Sequence, residues 1–158
     1  MNTPVVYLAG PIANTAQGVA FNWRIYASER LRERGIETRS PMRAKMTLAE
    51  GRIGGDFREY EDRGWAYTPE GILTRDHNDC TTSNGVLMNM LGVGEDDEKS
   101  FGTGMELAWT FHLHIPTVVV IESEGNPHDR HPMFVGAVKF RLADLDEAID
   151  AMAVILNR

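Results

Sequence analysis

The chain has 158 residues, of which 42% are hydrophobic and 25% are charged, and its formal net charge is −7. This length and balance predict one globular domain with a full core, spanning residues 1–158. The negative charge argues against a general nucleic-acid binder or a binder of anionic membranes, because both need a basic face. It leaves room for a small anionic ligand, since a local pocket can override the overall charge.

Cysteine usage and the N-terminus point to the cytoplasm. Cys80 is the single cysteine, so no internal disulfide can form and a reducing compartment is expected. The first residues lead directly into an apolar strand, without the basic region of a signal peptide, and no apolar run is long enough to cross a bilayer.

The first forty residues predict a β-α-β unit. Val5–Ala9 is a β-branched and aromatic run ended by Gly10-Pro11, which is typical of a buried strand and a sharp turn. Apolar residues at helical spacing predict a helix within Thr15–Arg34. Ile36–Ser40 then predicts a second strand.

Residues 42–72 predict a lid-like insertion, because they mix glycines, charges and aromatic residues without a clear period. Loops of this length in compact domains are usually functional or partly disordered. Asp56–Arg63 predicts a short helix within it. Trp65 and Tyr67 suit either stacking on a flat heterocycle or a small core of the lid itself.

The second half of the chain alternates between predicted helices and strands. In order, these are a helix at Ile72–Thr82, a strand within Ser83–Met90, a helix from Met105 to about His114, a strand at Ile115–Ile121, a turn at Pro132–Gly136, a strand at Val138–Leu142 and a helix at Leu145–Leu156. This alternation predicts a three-layer α/β fold, with a flavodoxin-like five-stranded parallel sheet in the order 2-1-3-4-5 and helices on both faces. Ligands of such a fold bind at the carboxyl ends of strands 1, 3 and 4, where the strand order reverses.

The stretch Ser100–Glu106 combines two glycines, two hydroxyl residues and a carboxylate. A glycine-containing loop that leads into a helix is typical of small-anion sites, because helix N–H groups and the positive end of the dipole face the loop. Thr103-x-x-Glu106 equally matches a capping box, with Thr103 as N-cap. The predicted position beside the end of the first strand favours a site.

Four short elements follow one another in the chain: Tyr7–Pro11, Arg75-Asp76, Ser83–Asn89 and Gly102–Glu106. Together they resemble the nucleoside 2-deoxyribosyltransferase family, which includes deoxyribosyltransferases and nucleoside 5′-monophosphate N-glycosidases. The resemblance extends over nearly the whole chain.

This resemblance implies catalytic roles for three residues. Glu106 would be the nucleophile that forms a glycosyl-enzyme ester, Tyr7 would orient its carboxylate, and Asp76 would handle the proton on the leaving base. Cleavage of an N-glycosidic bond passes through an oxocarbenium-like state that needs two such groups in different environments. We expect Glu106 to stay ionised near a helix N-terminus and Asp76, once shielded, to hold a proton.

Ser100 bears on the substrate because it lies six residues before Glu106. In the transferases that the chain resembles, this position tends to be an aspartate, which suits a neutral 5′-hydroxyl. In the monophosphate hydrolases it tends to be a serine. A hydroxyl donates to a phosphate that a carboxylate would repel, so the sequence favours a 5′-nucleotide.

The segment His131–Met133 is similar to the one that a neighbouring subunit lends to the site in this family, although the family usually has asparagine or serine where this chain has His131. Histidine here suits either a phosphate partner, when protonated, or a solvated loop residue. The resemblance therefore implies at least a homodimer with shared active sites. The substrate contacts that it implies are Gly10, Pro11, Ser100, Gly102, Gly104, His131 and Met133.

Other residues receive simpler predictions. The histidines lack the spacing of a metal site, so no metal and no cofactor is expected. Trp23 and Trp109 are predicted to be core, Asp79 and Glu95–Glu98 to be solvated, and Cys80 to be an inert, partly buried thiol. The candidate phosphate partners, among which the sequence does not choose, are Arg24, Arg43, Arg52 and Arg58.

Three functions follow from this sequence. The first is hydrolysis of a (deoxy)nucleoside 5′-monophosphate through a Glu106 ester. The second is exchange of nucleobases by a nucleoside 2′-deoxyribosyltransferase, and the third is a non-catalytic nucleotide-binding module. The sequence does not define the base or distinguish ribose from 2′-deoxyribose.

Overall fold

A computed structural model describes residues 2–45, 53–94 and 98–157. Its five strands form one all-parallel sheet in the order β2-β1-β3-β4-β5, the flavodoxin-like topology that the sequence predicts. The strands are β1 (Val5–Ala9), β2 (Glu37–Arg39), β3 (Gly85–Asn89), β4 (Thr117–Val120) and β5 (Arg141–Leu142).

Helices cover both faces of this sheet. They are α1 (Gln17–Arg32), α2 (Pro69–Thr81), α3 (Phe101–Leu113), α4 (Pro132–Ala137) and α5 (Leu145–Leu156). The closing helix and the first strand have the predicted bounds. No helix within the described ranges is long and apolar enough to cross a membrane.

The two faces follow from the alternation of side chains along each strand. Val6 and Leu8 of β1 pack in one cluster with residues of α1 and α5. Tyr7 and Ala9 point to the other face and pack in a second cluster that includes Leu107 of α3. Tyr7 is therefore directed towards the layer that carries Glu106.

Several predicted element bounds differ from the structure; for example, the helix predicted at Ile72–Thr82 is Pro69–Thr81. The helix expected from Met105 begins at Phe101, because Ser100 caps it. The turn expected at Pro132–Gly136 is nearly all of the short helix α4, since a proline is well tolerated at the first position of a helix. The strand expected over Val138–Leu142 pairs with β4 only at Arg141–Leu142, where the sheet ends.

The lid-like insertion packs on the start of α1. Buried Met42, Ile53 and Tyr67 form a small cluster with Ala20. The described part consists of 3₁₀ turns at Pro41–Ala44, Phe57–Glu59, Glu61–Arg63 and Trp65–Tyr67, so Asp56–Arg63 is not one short helix. Arg52 and 95–97 of the acidic run lie outside the described residues.

Candidate active site

Tyr7 and Glu106 form a buried hydrogen-bonded pair at the switch point of the sheet. The Tyr7 hydroxyl donates to Glu106 Oε1 at 2.6 Å, and the two residues come from β1 and α3. Tyr7 is fully buried and Glu106 is 8% exposed. Burial and the neighbouring Glu106 raise the pKa of Tyr7 well above 10, so its hydroxyl remains a donor at neutral pH. This hydrogen bond fixes one oxygen of the carboxylate.

The expectation that Glu106 stays fully ionised is wrong. Burial raises the pKa of Glu106 to about 7, although the Tyr7 hydrogen bond and the charges of Arg24 and Lys45 lower it. The helix dipole does not offset this burial, because Glu106 lies in the second turn of α3, beyond the first turn where the dipole favours an anion most. Near pH 7 the group is therefore divided between carboxylate and acid.

Arg24 organises the turn after β1 instead of facing solvent as a phosphate partner. Its guanidinium is 2% exposed and donates to the carbonyl oxygens of Leu8, Ala20 and Gly10. Burial lowers its pKa only to about 10, so it remains a cation near Glu106. Gly10 is required there, because a Cβ would lie 2.5 Å from the carbonyl oxygen of Asn89 at a φ of +155°.

Asp76 lies beside Arg75 on α2. Arg75 donates from Nε and Nη2 to the same oxygen, Asp76 Oδ1, at 3.0 and 2.9 Å, and the side chains are 9% and 14% exposed. The charge of Asp76 acts on both Tyr7 and Glu106, which places it in the same buried cluster. Asp79, predicted to be solvated, is instead 2% exposed and pairs with Arg43 at 2.6 Å, because it lies on the inner face of α2.

Lys45 is a site residue that the sequence reasoning missed. It follows the 3₁₀ turn after β2 and is 8% exposed. Burial lowers its pKa, whereas the charges of Asp76 and Glu106 raise it, so its ammonium lies within electrostatic reach of both carboxylates. A lysine is almost never buried unless it is paired, but the sequence alone gives no sign that this lysine is buried.

Ser100, not Thr103, is the N-cap of α3, so the predicted capping box is wrong. Ser100 Oγ accepts the Thr103 N–H at 3.3 Å and lies 2.8 Å from Thr103 Oγ1. Thr103 is buried in the first turn, and Glu106 points towards Tyr7. Serine is a preferred N-cap residue, so the sequence alone could have identified Ser100 as a candidate cap.

His128 holds the start of α3 in place, and the sequence reasoning also missed this role. Its Nε2 accepts the backbone N–H of Ser100 at 2.9 Å, so the ring proton is on Nδ1, which donates to Asn126 Oδ1 at 2.9 Å. Asn126 in turn donates to Met90 O and to Glu122 Oε2. Burial lowers the pKa of His128, which keeps it neutral in this role.

The two glycines of α3 have different positions relative to Glu106. Helix geometry places Gly102 on the same face as Glu106, one turn earlier, whereas Gly104 points about the opposite way. A Cβ at either glycine would meet nothing within 4 Å. Open space therefore lies beside the face that carries the carboxylate. Pro11 is half-buried in the turn after β1.

His131 and Met133 are exposed at the start of α4, and Met133 is 77% exposed. Neither makes a described contact with Tyr7, Asp76 or Glu106. Within one chain, the structure thus brings together the three predicted catalytic residues but leaves this segment on the surface.

The remaining candidates have ordinary environments. Tyr67 is buried in the lid cluster, 6.4 Å from the ring of Tyr60, whereas Trp65 is 76% exposed. Arg58 pairs with Asp56. Cys80 is fully buried rather than partly buried, and burial raises its pKa, which makes it unreactive. The described residues contain no cluster of side chains that could hold a metal ion.

Two concave regions lie away from the Tyr7–Glu106 pair. A cavity of about 280 Å³ lies beside the C-terminal end of α3 and β5, and a shallow groove of about 610 Å³ runs between α2 and α3. The cavity is lined mainly by apolar residues, whereas the groove mixes polar residues such as Thr74 and Asn78 with Leu73, Met105 and Trp109. Neither region borders a buried titratable group. The candidate active site is therefore identified by the buried charged and polar residues around Glu106, and not by the size of a cavity.

No protein-family model matches this sequence, and no curated protein sequence matches it either. Solved structures share its fold. A conserved protein from Enterococcus faecalis V583 is 14% identical, with a TM-score of 0.65, over 98% of this chain and 100% of the other. A 2-deoxyribosyltransferase from Bacillus psychrosaccharolyticus is 18% identical, with a TM-score of 0.61, over 94% of this chain and 95% of the other.

A third similar structure has a different description. A 3-dehydroquinate dehydratase-like protein from Bifidobacterium longum is 15% identical, with a TM-score of 0.52, over 99% of this chain and 100% of the other. At these identities the comparisons establish the fold alone. Function must therefore be argued from the site.

Proposed function

We propose that this protein hydrolyses the N-glycosidic bond of a (deoxy)nucleoside 5′-monophosphate through a covalent intermediate on Glu106. The observation that carries the proposal is the 2.6 Å hydrogen bond from Tyr7 to Glu106 at the carboxyl edge of the sheet. The motif resemblance and the fold shared with a 2-deoxyribosyltransferase agree with it.

In the first step a Glu106 carboxylate oxygen attacks the anomeric carbon of the sugar as the bond to the base nitrogen breaks. The bonding electron pair leaves with the base, which takes up a proton. In the second step water attacks the same carbon and the bond from that carbon to the Glu106 oxygen breaks. The proton that water loses returns to the group that protonated the base, so the sugar phosphate is released and the carboxylate is regenerated. Tyr7 holds one oxygen of Glu106 so that the other can attack.

Asp76 is the candidate for proton transfer to the base. Arg75 engages only Oδ1, which leaves Oδ2 for a ligand. Ser100 is the candidate phosphate contact: if Thr103 donates to Ser100 Oγ, the Ser100 proton is available to the phosphate. The space beside Gly102 gives a route to Glu106.

A second candidate function is nucleobase exchange, which the named transferase of the same fold favours. Both reactions share the Glu106 ester and differ in whether water or a second base resolves it. A third candidate function is a non-catalytic nucleotide-binding module. The structures that share this fold have different descriptions, so the fold alone does not exclude that function.

The test is to incubate the purified protein with nucleoside 5′-monophosphates and with the matching nucleosides, with and without an acceptor base. Free base and sugar phosphate without acceptor support the hydrolase, whereas a new nucleoside only with acceptor supports the transferase. Glu106→Ala should abolish either reaction while the protein remains folded. If the wild type binds nucleotide but converts none, the non-catalytic reading holds instead.

A further inference from the structure

The buried cluster around Glu106 contains more positive than negative charge. Its cations are Arg24, Lys45 and Arg75, and its carboxylates are Asp76 and Glu106. Glu106 also spends part of its time protonated near pH 7, which deepens the imbalance. Buried charge without a partner is costly, so a ligand group that accepts hydrogen bonds would relieve it.

Arg24 is not available to such a ligand. Its donors are used on the carbonyl oxygens of Leu8, Ala20 and Gly10. Of the other two cations, Lys45 lies within reach of the charges of Asp76 and Glu106, and Arg75 has an unused donor. Arg75 is 9% exposed, and its Nη1 is buried with no hydrogen-bond partner, although Nε and Nη2 are used on Asp76 and Nη2 also reaches Pro41 O at 3.3 Å.

Sheet order places Lys45 and Arg75 on the opposite side of the Tyr7–Glu106 pair from Ser100. Lys45 follows β2, and Arg75 is tied by hydrogen bonding to Pro41 in the same turn after β2. Ser100 and its partner His128 follow β3 and β4, which lie beyond β1 from β2. A nucleotide with its phosphate at Ser100 and its anomeric carbon at Glu106 would therefore extend its base towards Lys45.

An ammonium has three donors and no acceptor, and a guanidinium is also donor-only. Such groups suit a carbonyl oxygen on the base and disfavour an exocyclic amino group, which is itself a donor. On the purine edge, an oxo group beside N7 gives two adjacent acceptors, whereas adenine places a donor beside N7. A site with unpaired buried donors discriminates strongly between such analogues.

We propose that Lys45, supported by Arg75, selects bases with an oxo group over bases with an amino group at the corresponding ring position. This inference rests on the proposed function for the orientation of the substrate. It names the substrate class as 5′-monophosphates of 6-oxopurines or 4-oxopyrimidines.

The test uses two pairs of nucleotides that differ at one ring substituent. Deoxyinosine and deoxyadenosine monophosphates form the purine pair, and deoxyuridine and deoxycytidine monophosphates form the pyrimidine pair. We expect the wild type to favour the oxo member of the preferred pair by at least about tenfold in kcat/KM. Lys45→Gln should remove most of this preference, because an amide can donate or accept. Lys45→Arg, which keeps only donors, should retain it.

Three results would overturn the proposal. The first is a wild type that prefers the amino members. The second is that Lys45→Gln lowers kcat/KM equally for both members of a pair, which would mean that Lys45 acts on Glu106 alone. The third is that Lys45→Gln lowers kcat/KM for nucleotides but not for the matching nucleosides, which would mean that Lys45 binds the phosphate.

Direct binding separates this inference from the proposed function. The affinities of hypoxanthine and adenine for the wild type and Lys45→Gln are measured by calorimetry, which needs no turnover. If no nucleotide is cleaved but the wild type binds hypoxanthine more tightly and Lys45→Gln does not, the base preference stands and the hydrolase proposal fails. If nucleotides are cleaved with no base preference, the hydrolase proposal stands and the base preference fails.

Discussion

At the scale of single residues, we expect the ionisation of Glu106 to affect both the proposed activity and the stability of the protein. Its pKa of about 7 results from burial that the Tyr7 hydrogen bond and nearby cations only partly offset. A nucleophile must be ionised to attack. We therefore expect kcat/KM for nucleotide cleavage to rise with pH between about 6 and 8, with an apparent pKa near 7. A rate that is flat over this range would exclude Glu106 as the titrating nucleophile.

The same shift predicts a cost to stability at high pH. The folded pKa lies above the usual value of 4.5, so the folded state binds the proton more tightly than the unfolded state. Stability contributed by this group is full below about pH 4.5 and is lost as the pH rises through about 7. Glu106→Gln should therefore be more stable than the wild type at pH 8, by on the order of 2–3 kcal/mol. Urea unfolding at pH 5 and pH 8 measures this, and an equal difference at both values would contradict it.

Tyr7 should influence this titration through its hydrogen bond. The bond lowers the pKa of Glu106, so Tyr7→Phe should move the pH profile of kcat/KM to higher pH and reduce the rate at pH 7. The phenylalanine keeps the ring in the same buried cluster. If the variant lost activity at every pH by one factor, with an unchanged profile, Tyr7 would act only on ligand binding.

At the scale of elements, α3 combines a structural cap with the predicted phosphate contact at Ser100. Substitution by alanine removes both roles and should cost about 0.5–2 kcal/mol of stability. Aspartate caps a helix about as well as serine but would repel a phosphate. We expect Ser100→Asp to keep the wild-type melting temperature and to lose activity on nucleotides far more than on nucleosides. Equal losses on both substrates would remove Ser100 from phosphate recognition.

The glycines of α3 allow a matched comparison of access to Glu106. Alanine at either Gly102 or Gly104 should stabilise the helix by about 0.5–1 kcal/mol. Only Gly102 shares a face with Glu106, so Gly102→Ala should raise KM by obstructing the open space there. Gly104→Ala is the control, with the same gain in stability. Equal KM values in the two variants would show that the substrate does not approach along this face.

At the scale of the whole molecule, apolar side chains are exposed on the face of α2, α3 and α4. Leu73, Phe101 and Met133 are 49%, 82% and 77% exposed. The resemblance implies a homodimer in which His131–Met133 completes a neighbouring site, and such exposed residues suit that contact.

We expect Met133→Glu to weaken the dimer by tenfold or more in Kd, since each factor of ten is about 1.4 kcal/mol, and to lower activity with it. Val154→Glu is the matched control, because Val154 is also 77% exposed but lies on α5, on the other face of the sheet. Sedimentation velocity gives the oligomeric state of each variant. A wild type that is active as a monomer would refute the shared site.

The sequence alone determined the strand order and the bounds of β1 and α5, because these depend on periodicity and on the alternation of elements along the chain. The family resemblance, which rests on short motifs, implied that Tyr7, Asp76 and Glu106 act together. The N-cap of α3 also depends on local sequence, but the match of Thr103-x-x-Glu106 to a capping box led to Thr103 instead of Ser100. The error at β5 arose because strand length depends on the partner strand, which the sequence does not specify.

Only the tertiary structure decided the electrostatics of the site. Lys45, Arg24 and His128 are ordinary charged or polar residues in the sequence, and their burial depends on contacts with segments distant along the chain. The ionisation of Glu106 likewise changed from an expected carboxylate to a group with a pKa of about 7. Desolvation and the net effect of surrounding charges depend on three-dimensional position. The sequence therefore determined the strand order and indicated the candidate residues, whereas the packing determined their burial and their electrostatic environment.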